Sequence, residues 1–226
     1  MQRLNSQQVA KLWNFIAGAI SAWMLLYPTP YNLLLLALLP MPCVALLLMQ
    51  RYKDEFQIDG QWNDFGGNLT LLILLPAGVL FIRSQTDVNL LDHTMLVGMA
   101  LACSLIFVAI VIRVYEEAYK PMVLFLCLVL SFLHGFGALA LINARFDPFA
   151  IQSYNVNIES RRVSHGKSTA YYLQLAPWGP TPTSEEVRVR STVFNDLASS
   201  NTTCVTLHKG LLNMPWFVVG ACPCPC

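Results

Sequence analysis

The sequence predicts an α-helical integral membrane protein of about five transmembrane helices, followed by a small all-β exported domain of OB or SH3-like type. Three observations carry that reading. The chain is 55% hydrophobic and only 12% charged, against roughly a quarter charged in an ordinary soluble domain. Its mean hydropathy is +0.51. The apolar residues are also unevenly spread, with nearly all long apolar runs before Ile142 and polar, alternating sequence from Asn143 onward. The expected division is a multi-pass helical domain over 1–144, a β-rich domain over 145–221 and a Cys-Pro tail over 222–226. A net charge of +1 suggests neither a nucleic-acid nor a strongly acidic partner.

A membrane-spanning helix needs about 20 mostly apolar residues. Leu12 to Tyr27 is the first candidate, with Trp13, Trp23 and Tyr27 where interfacial aromatics belong. Pro28 to Pro30 breaks it, and Tyr31 to Gln50 follows as the second. Leu69 to Ile82 is the third, short unless extended back to Phe65, with a buried or re-entrant segment as its alternative. Met95 to Ile112 and Met122 to Ile142 are the fourth and fifth. A cleaved signal peptide is not expected. The five residues between Lys11 and the cleavage-like "AGA" at Ala17 to Ala19 are fewer than the 7–15 an apolar signal core needs.

Lysine and arginine bias near the spans sets orientation. With the N-terminus inside, the cytoplasmic pieces carry Arg3, Lys11, Arg51, Lys53, Arg113 and Lys120, against Arg83 and Arg145 outside. Five spans then put the β-domain on the periplasmic side of a bacterial inner (plasma) membrane and leave the N-terminus cytoplasmic. That placement depends on the third span.

Few polar groups lie at depth. His134 in "FLHGFGALA" is the only ionisable residue well inside a span, and intramembrane ionisable residues invite a functional hypothesis. A proton or metal role is weighed here against a neutral imidazole hydrogen-bonded across a helix interface, which is the preferred reading. Gly135, Gly137 and Ala138 beside it would let another helix approach closely. "LLALLP" (Leu35 to Pro40) recurs as "LLILLP" (Leu71 to Pro76). Paired broken helices can mark a transporter site, but chance similarity with two ordinary kinks is favoured. The loop from Arg51 to Asn68 gathers Asp54, Glu55, Asp59 and Asp64 without the alternate-position spacing of a calcium loop. It reads as solvated, as do Glu116 and Glu117 in the next inner loop.

Beyond residue 150 the alternation is that of strands. "IQSYNVNIESRRV", "TAYYLQLAPW", "EEVRVRSTVF", "TCVTLHKG" and "MPWFVV" give five, enough for a small curled sheet or barrel. "HGKST" (His165 to Thr169) lacks the earlier glycine of a P-loop, where Arg161 stands. Ser164, His165, Asp196 and His208 show no triad spacing. No nucleophile, base and oxyanion donor can be nominated together, so an enzyme is not expected.

The closing run "VTLHKGLLNMPWFVVGAC", with "YYLQLAPWG", "FNDL" and "LPAGVLFIRSQTDVNLLD" before it, resembles uncharacterised bacterial multi-pass inner-membrane proteins with a C-terminal small β-domain. The resemblance implies the architecture and no established activity. Helices followed by a small barrel are also similar to NfeD-like membrane proteins, by analogy of fold.

Cys43, Cys103 and Cys127 fall within spans and read as small packing residues. Cys204 in the fourth strand and Cys222 just after the fifth are disulfide candidates, since adjacent antiparallel strands would bring them into range. Cys224 and Cys226 then remain in "CPCPC". Two cysteines about 6 Å apart on a polyproline tail suit a strained disulfide or a soft Cu(I) site, and an inert tail is the alternative. Zinc lacks a fourth ligand. Pro223 at the fourth-last position rules out a C-a-a-X prenylation box, and the final "CPC" resembles the double-cysteine prenylation ending of Rab GTPases, which nothing else in the chain resembles. The expected function is a membrane scaffold or interaction protein whose partners are the bilayer and either another envelope protein or a second copy of the chain. Thiol-redox or copper handling by the tail is the alternative, and a small transporter the second. No cofactor other than copper is implied.

Overall fold

In the computed structural model, which describes residues 6–52, 69–114, 120–147, 150–166 and 169–222, the apolar runs form helices. The helical unit comprises residues 1–85 and 94–141. Helix α1 covers Ser6–Leu26, α2 Tyr31–Leu38, α3 Met41–Arg51, α4 Thr70–Asp87, α5 Thr94–Val114 and α6 Pro121–Arg145. Among the described residues, four segments are long and apolar enough to cross a membrane: Ser6–Leu26, Tyr31–Arg51, Thr94–Val114 and Pro121–Arg145. The third expected span is a helix outside this group. Its last five residues, Arg83 to Asp87, are all polar.

Proline explains the break between α2 and α3. Pro40 and Pro42 have no N–H to return to the carbonyls of Leu36 and Leu38. The bonds Leu39 N–H to Leu35 O (3.1 Å) and Val44 N–H to Pro40 O (2.9 Å) close the two sides of the gap. Pro76, the other half of the Leu-Pro echo, lies inside a continuous α4. The two segments therefore differ in the one property that a repeat of broken helices requires.

Each helix buries one stripe at helical spacing. On α1 it is Ser6, Ala10, Asn14, Ala17, Ser21 and Met24, small and polar residues, while Phe15 (74% exposed) and Leu26 (81%) face outward. On α5 the buried residues are Leu96, Ala100, Ser104 and Val111, with Leu101, Leu105, Ile106 and Ile110 outside. Helix α4 buries Leu72, Ile73, Ala77 and Leu80 at spacings of three and four, with Leu69 just before it also buried. Gly137 of α6 meets α4 backbone to backbone, so that a Cβ there would overlap Leu80 and Phe81. Of the three helix cysteines only Cys127 is buried. Cys43 and Cys103 are exposed, which corrects their reading as packing residues.

The second unit joins residues 86–93 to 142–226. Its strands are β1 (Asn89–Leu90), β2 (Ala150–His165), β3 (Thr169–Leu175), β4 (Glu185–Val189), β5 (Thr202–His208) and β6 (Trp216–Gly220), with a short helix α7 (Ser191–Asp196) after β4. They form one antiparallel sheet in the order β1-β6-β5-β2-β3-β4. Strand β2 is long enough to serve both halves. It pairs with β5 from Ala150 to Asn157 and with β3 from Ile158 to His165, bending at a register shift between Ile158 and Ser160. The sheet curls until Arg190, just after β4, stands 3.6 Å from Asp87, just before β1. The sheet is thus nearly closed.

Alternation fills the interior with Val156, Leu173, Leu175, Val187, Val205, Phe217 and Val219, and Trp178 and Leu197 cover it. Trp178 packs edge-on against Phe217, with ring centroids 5.1 Å apart. Two differences from the expected strands have local causes. The "EEVRVRSTVF" stretch leaves the sheet at Val189, because Ser191 to Asp196 winds into α7 and packs Phe194 on Tyr171 at 5.0 Å. The other is β1, a sixth strand drawn from the α4–α5 connection, paired through Asn89↔Phe217 and Leu90↔Trp216.

Candidate functional site

Cys204 and Cys222 form a disulfide with Cα atoms 4.8 Å apart. The register explains it: Cys204 lies opposite Gly220 on adjacent antiparallel strands, and the chain returns toward it two residues later. Cys224 and Cys226 lie outside the described residues, as do Asp54, Glu55, Asp59, Asp64, Glu116 and Glu117. Among the described residues, no three His, Cys, Asp or Glu side chains gather as a metal-holding group.

His134 sits on α6, and its Nε2 lies 3.2 Å from Leu39 O, at the α2–α3 break. With the proton on Nε2 the ring donates to that carbonyl. Its Nδ1 is buried and has no hydrogen-bond partner. One turn away Ser131 Oγ lies 2.6 Å from Cys127 O and 2.7 Å from Ser104 Oγ, which lies 2.9 Å from Leu128 O, so the two hydroxyl protons serve two of these three contacts at a time. These bonds satisfy hydroxyls between α5 and α6. They contain no second ionisable group.

Three polar positions make contacts that the sequence does not reveal, although Arg83 is counted there for orientation. Arg83 of α4 donates from Nε to Met24 O (2.9 Å) and from Nη2 to Leu25 O (2.8 Å). It thereby serves the unpaired carbonyls of the last turn of α1, where a cation is also favoured by the helix dipole. Fully buried Asn143 donates to Met214 O (2.8 Å) and accepts from Leu212 N–H (2.9 Å). Asp147 Oδ2 accepts from Gly210 N–H (2.7 Å) and Trp216 Nε1–H (3.1 Å), with His208 Nδ1 at 3.8 Å. Together the last two fasten the β5–β6 turn. Gly210 there has φ +79°, and a Cβ would overlap Met214 O and the Asn143 amide, so glycine is required. The only sequence signal for Arg83 is an arginine directly after an apolar run.

The most site-like feature is the seam where the sheet fails to close. Strand β4 forms one edge and the two-residue β1 the other. Beyond Phe217, β6 has no strand partner on its β1 side among the described residues. A cleft of about 300 Å³ opens there, lined on one wall by Arg188, Val189 and Arg190 and on the other by Trp216 to Val219, with Thr86 to Asn89, Ala144, Arg145 and Val193 around it. Three arginines and one carboxylate line it, and that carboxylate, Asp87, is nearly buried (6% exposed) against a largely exposed Arg190 (68%). On the neighbouring sheet surface Arg162 bonds Glu186 through two contacts of 2.9 and 2.8 Å and lies 4.5 Å above the Tyr172 ring. The Arg162 guanidinium holds the Glu186 carboxyl below its ordinary value, while burial pushes Glu185 up. No family model, curated protein or solved structure matches the chain.

Proposed function

We propose that the chain is an integral membrane scaffold or interaction protein of the bacterial inner membrane, presenting its β-domain on the periplasmic side to another envelope component. The observation that carries this reading is the large apolar surface that the helices turn outward. Phe15 and Leu26 on α1 and Leu101, Leu105, Ile106 and Ile110 on α5 are exposed, while Ala10, Asn14, Ala17 and Ser21 of α1 and Ala100 and Ser104 of α5 are inside. Water would penalise such a surface, since exposed apolar patches beyond a few hundred Å² are rare on soluble monomers.

Two contacts support the sidedness. Arg83, near the C-terminal end of α4, bonds the C-terminal carbonyls of α1, so both helices end on the same side. That follows if α1, α2–α3 and α4 each cross once. Strand β1, between α4 and α5, shares a sheet with β6, as two further crossings by α5 and α6 require. We read the β-domain as OB-like: a long bent strand, β2, shared by both halves of the sheet, a helix between β4 and β5, and an open seam between β4 and β6.

Membrane fractionation with alkaline carbonate, combined with photo-crosslinking in cells from exposed sheet positions such as Ser160, tests the proposal. Retention in the membrane and discrete adducts to an envelope protein are expected. Release by carbonate, or no adduct from any face of the sheet, would overturn it. A second reading, thiol-redox or copper handling by the tail, draws on the Cys204–Cys222 bond, which leaves Cys224 and Cys226 as the tail's remaining thiols. Replacing both with serine should then lower copper tolerance or change the cell's thiol-dependent phenotype, and an unchanged strain would remove that reading.

A further inference from the structure

We propose that the open seam of the β-domain takes a short extended peptide segment carrying acidic side chains at alternate positions, added as a strand to the free edge of β4. The inference rests on the interaction-protein reading and names its partner chemistry. Three independent features of the seam lead to it.

The first is backbone chemistry. An edge strand presents a row of unpaired N–H and C=O groups, and proteins blunt such edges or use them. Here β4 ends the sheet with five residues and no proline. The second is that the domain already accepts an added strand on the facing edge. Residues Asn89 and Leu90 come from a distant part of the chain and pair with β6 over two positions only. The gap between β4 and β6 is thus partly filled in cis and opens into the 300 Å³ cleft.

The third is charge. Arg188 on β4 and Arg190 just after it are two apart and so project to the same face, where Arg162 already neutralises Glu186, and Asp87, 3.6 Å from Arg190, is the single carboxylate among the lining residues. A net charge of +1 for the whole chain conceals this local excess. A strand added to β4 would set its alternate side chains opposite Arg188 and Arg190, where carboxylates form favourable cross-strand pairs. Lysine at the same places would be repelled.

The test uses the full chain in detergent micelles and a fluorescent heptapeptide of alternating threonine and glutamate. Its controls are the threonine–lysine counterpart and two versions N-methylated on one or the other set of alternate amides. Fluorescence anisotropy should show binding of the glutamate peptide and none of the lysine peptide. At least one N-methylated version should lose binding, because strand addition needs those N–H groups. Arg188→Glu, at an exposed position, should weaken binding about fivefold or more with the thermal transition unchanged.

Failure of the glutamate peptide to bind would overturn the proposal. So would full binding of both N-methylated versions, which would mean anion contacts alone. Conversion of a dimer to a monomer by Arg188→Glu would make a second copy of the chain the occupant and also overturn it. Photo-crosslinking in cells separates this from the broader reading. Envelope adducts from Ser160 but none from Val218, on the cleft wall, would leave an interaction protein without a strand slot.

Discussion

Arg83 shows how one side chain can decide a larger question. Its two bonds to Met24 O and Leu25 O are charge-assisted, a class that contributes about 1.5–3 kcal/mol each when a partner is lost. Arg83→Met should therefore lower the thermal stability of the chain in micelles by an amount of that order, and an unchanged melting curve would show that α1 and α4 do not depend on this contact. Glu186 offers a pH-resolved case. Because Arg162 holds its folded-state carboxyl below the ordinary 4.5, the pair's contribution is fully present above that value and is lost as pH falls from there through the lower folded-state one. Glu185 is shifted the other way by burial, so acidification relieves its cost. Glu186→Gln should reduce the drop in melting temperature between pH 7 and a pH well below the ordinary carboxylate value, and an undiminished drop would place the acid sensitivity elsewhere. Sequence could offer Arg162 and Glu186 only as charges on strands. Their meeting depends on the Arg162↔Tyr172 and Tyr172↔Arg188 registers, which follow from turn geometry and a bulge that composition does not reveal.

At the scale of elements, legibility tracked the strength of periodic patterning. The long apolar runs became helices and most alternating runs became strands. A two-residue strand has no period, so β1 was invisible, and with it the fact that the α4–α5 connection belongs to the sheet. The "STVF" stretch continued the β-branched composition of β4, yet tertiary packing of Phe194 on Tyr171 favours a helical turn there. Pro40 and Pro76 looked alike, but only Pro40 has a second proline two residues on, and only there does the helix open. The small residues of "HGFGALA" forecast close helix approach, and the structure ranks them. Gly137 sits against the backbone of α4, whereas Gly135 has only ordinary contact with Ala100, and around a Cβ at Gly98 on α5 the space within 4 Å is empty. Gly137→Leu should cost about 1–3 kcal/mol or more by forcing α4 and α6 apart, while Gly98→Leu should be near neutral. Equal melting temperatures for the two variants in micelles would contradict the packing described.

For the whole molecule, one uncertainty in the sequence governed everything downstream: whether the short third apolar segment crosses the membrane. Length and composition leave α4 just outside the group of membrane-length helices, because its last five residues are polar. Its contacts are those the proposed crossing would give. The Arg83 bonds bring its C-terminal end to that of α1. The Gly137–Leu80 approach also lies eight and seven residues from the ends of α6 (Arg145) and α4 (Asp87), as expected if both helices run in one direction and finish at one depth. Sided maleimide labelling in intact cells tests this directly. In a background with Cys43, Cys103, Cys127, Cys224 and Cys226 replaced by serine, single cysteines are placed at Gln7, Gln50, His93 and Glu159, all exposed. If α4 crosses, His93→Cys and Glu159→Cys label in intact cells, and Gln7→Cys and Gln50→Cys label only after permeabilisation. If α4 lies buried or re-entrant instead, Gln50→Cys, His93→Cys and Glu159→Cys must label alike. The β1–β6 pairing adds an internal control, because residues 86–93 and the C-terminal sheet share one unit. His93 and Glu159 must agree whichever way α4 runs, and disagreement between them would refute the sheet rather than the topology.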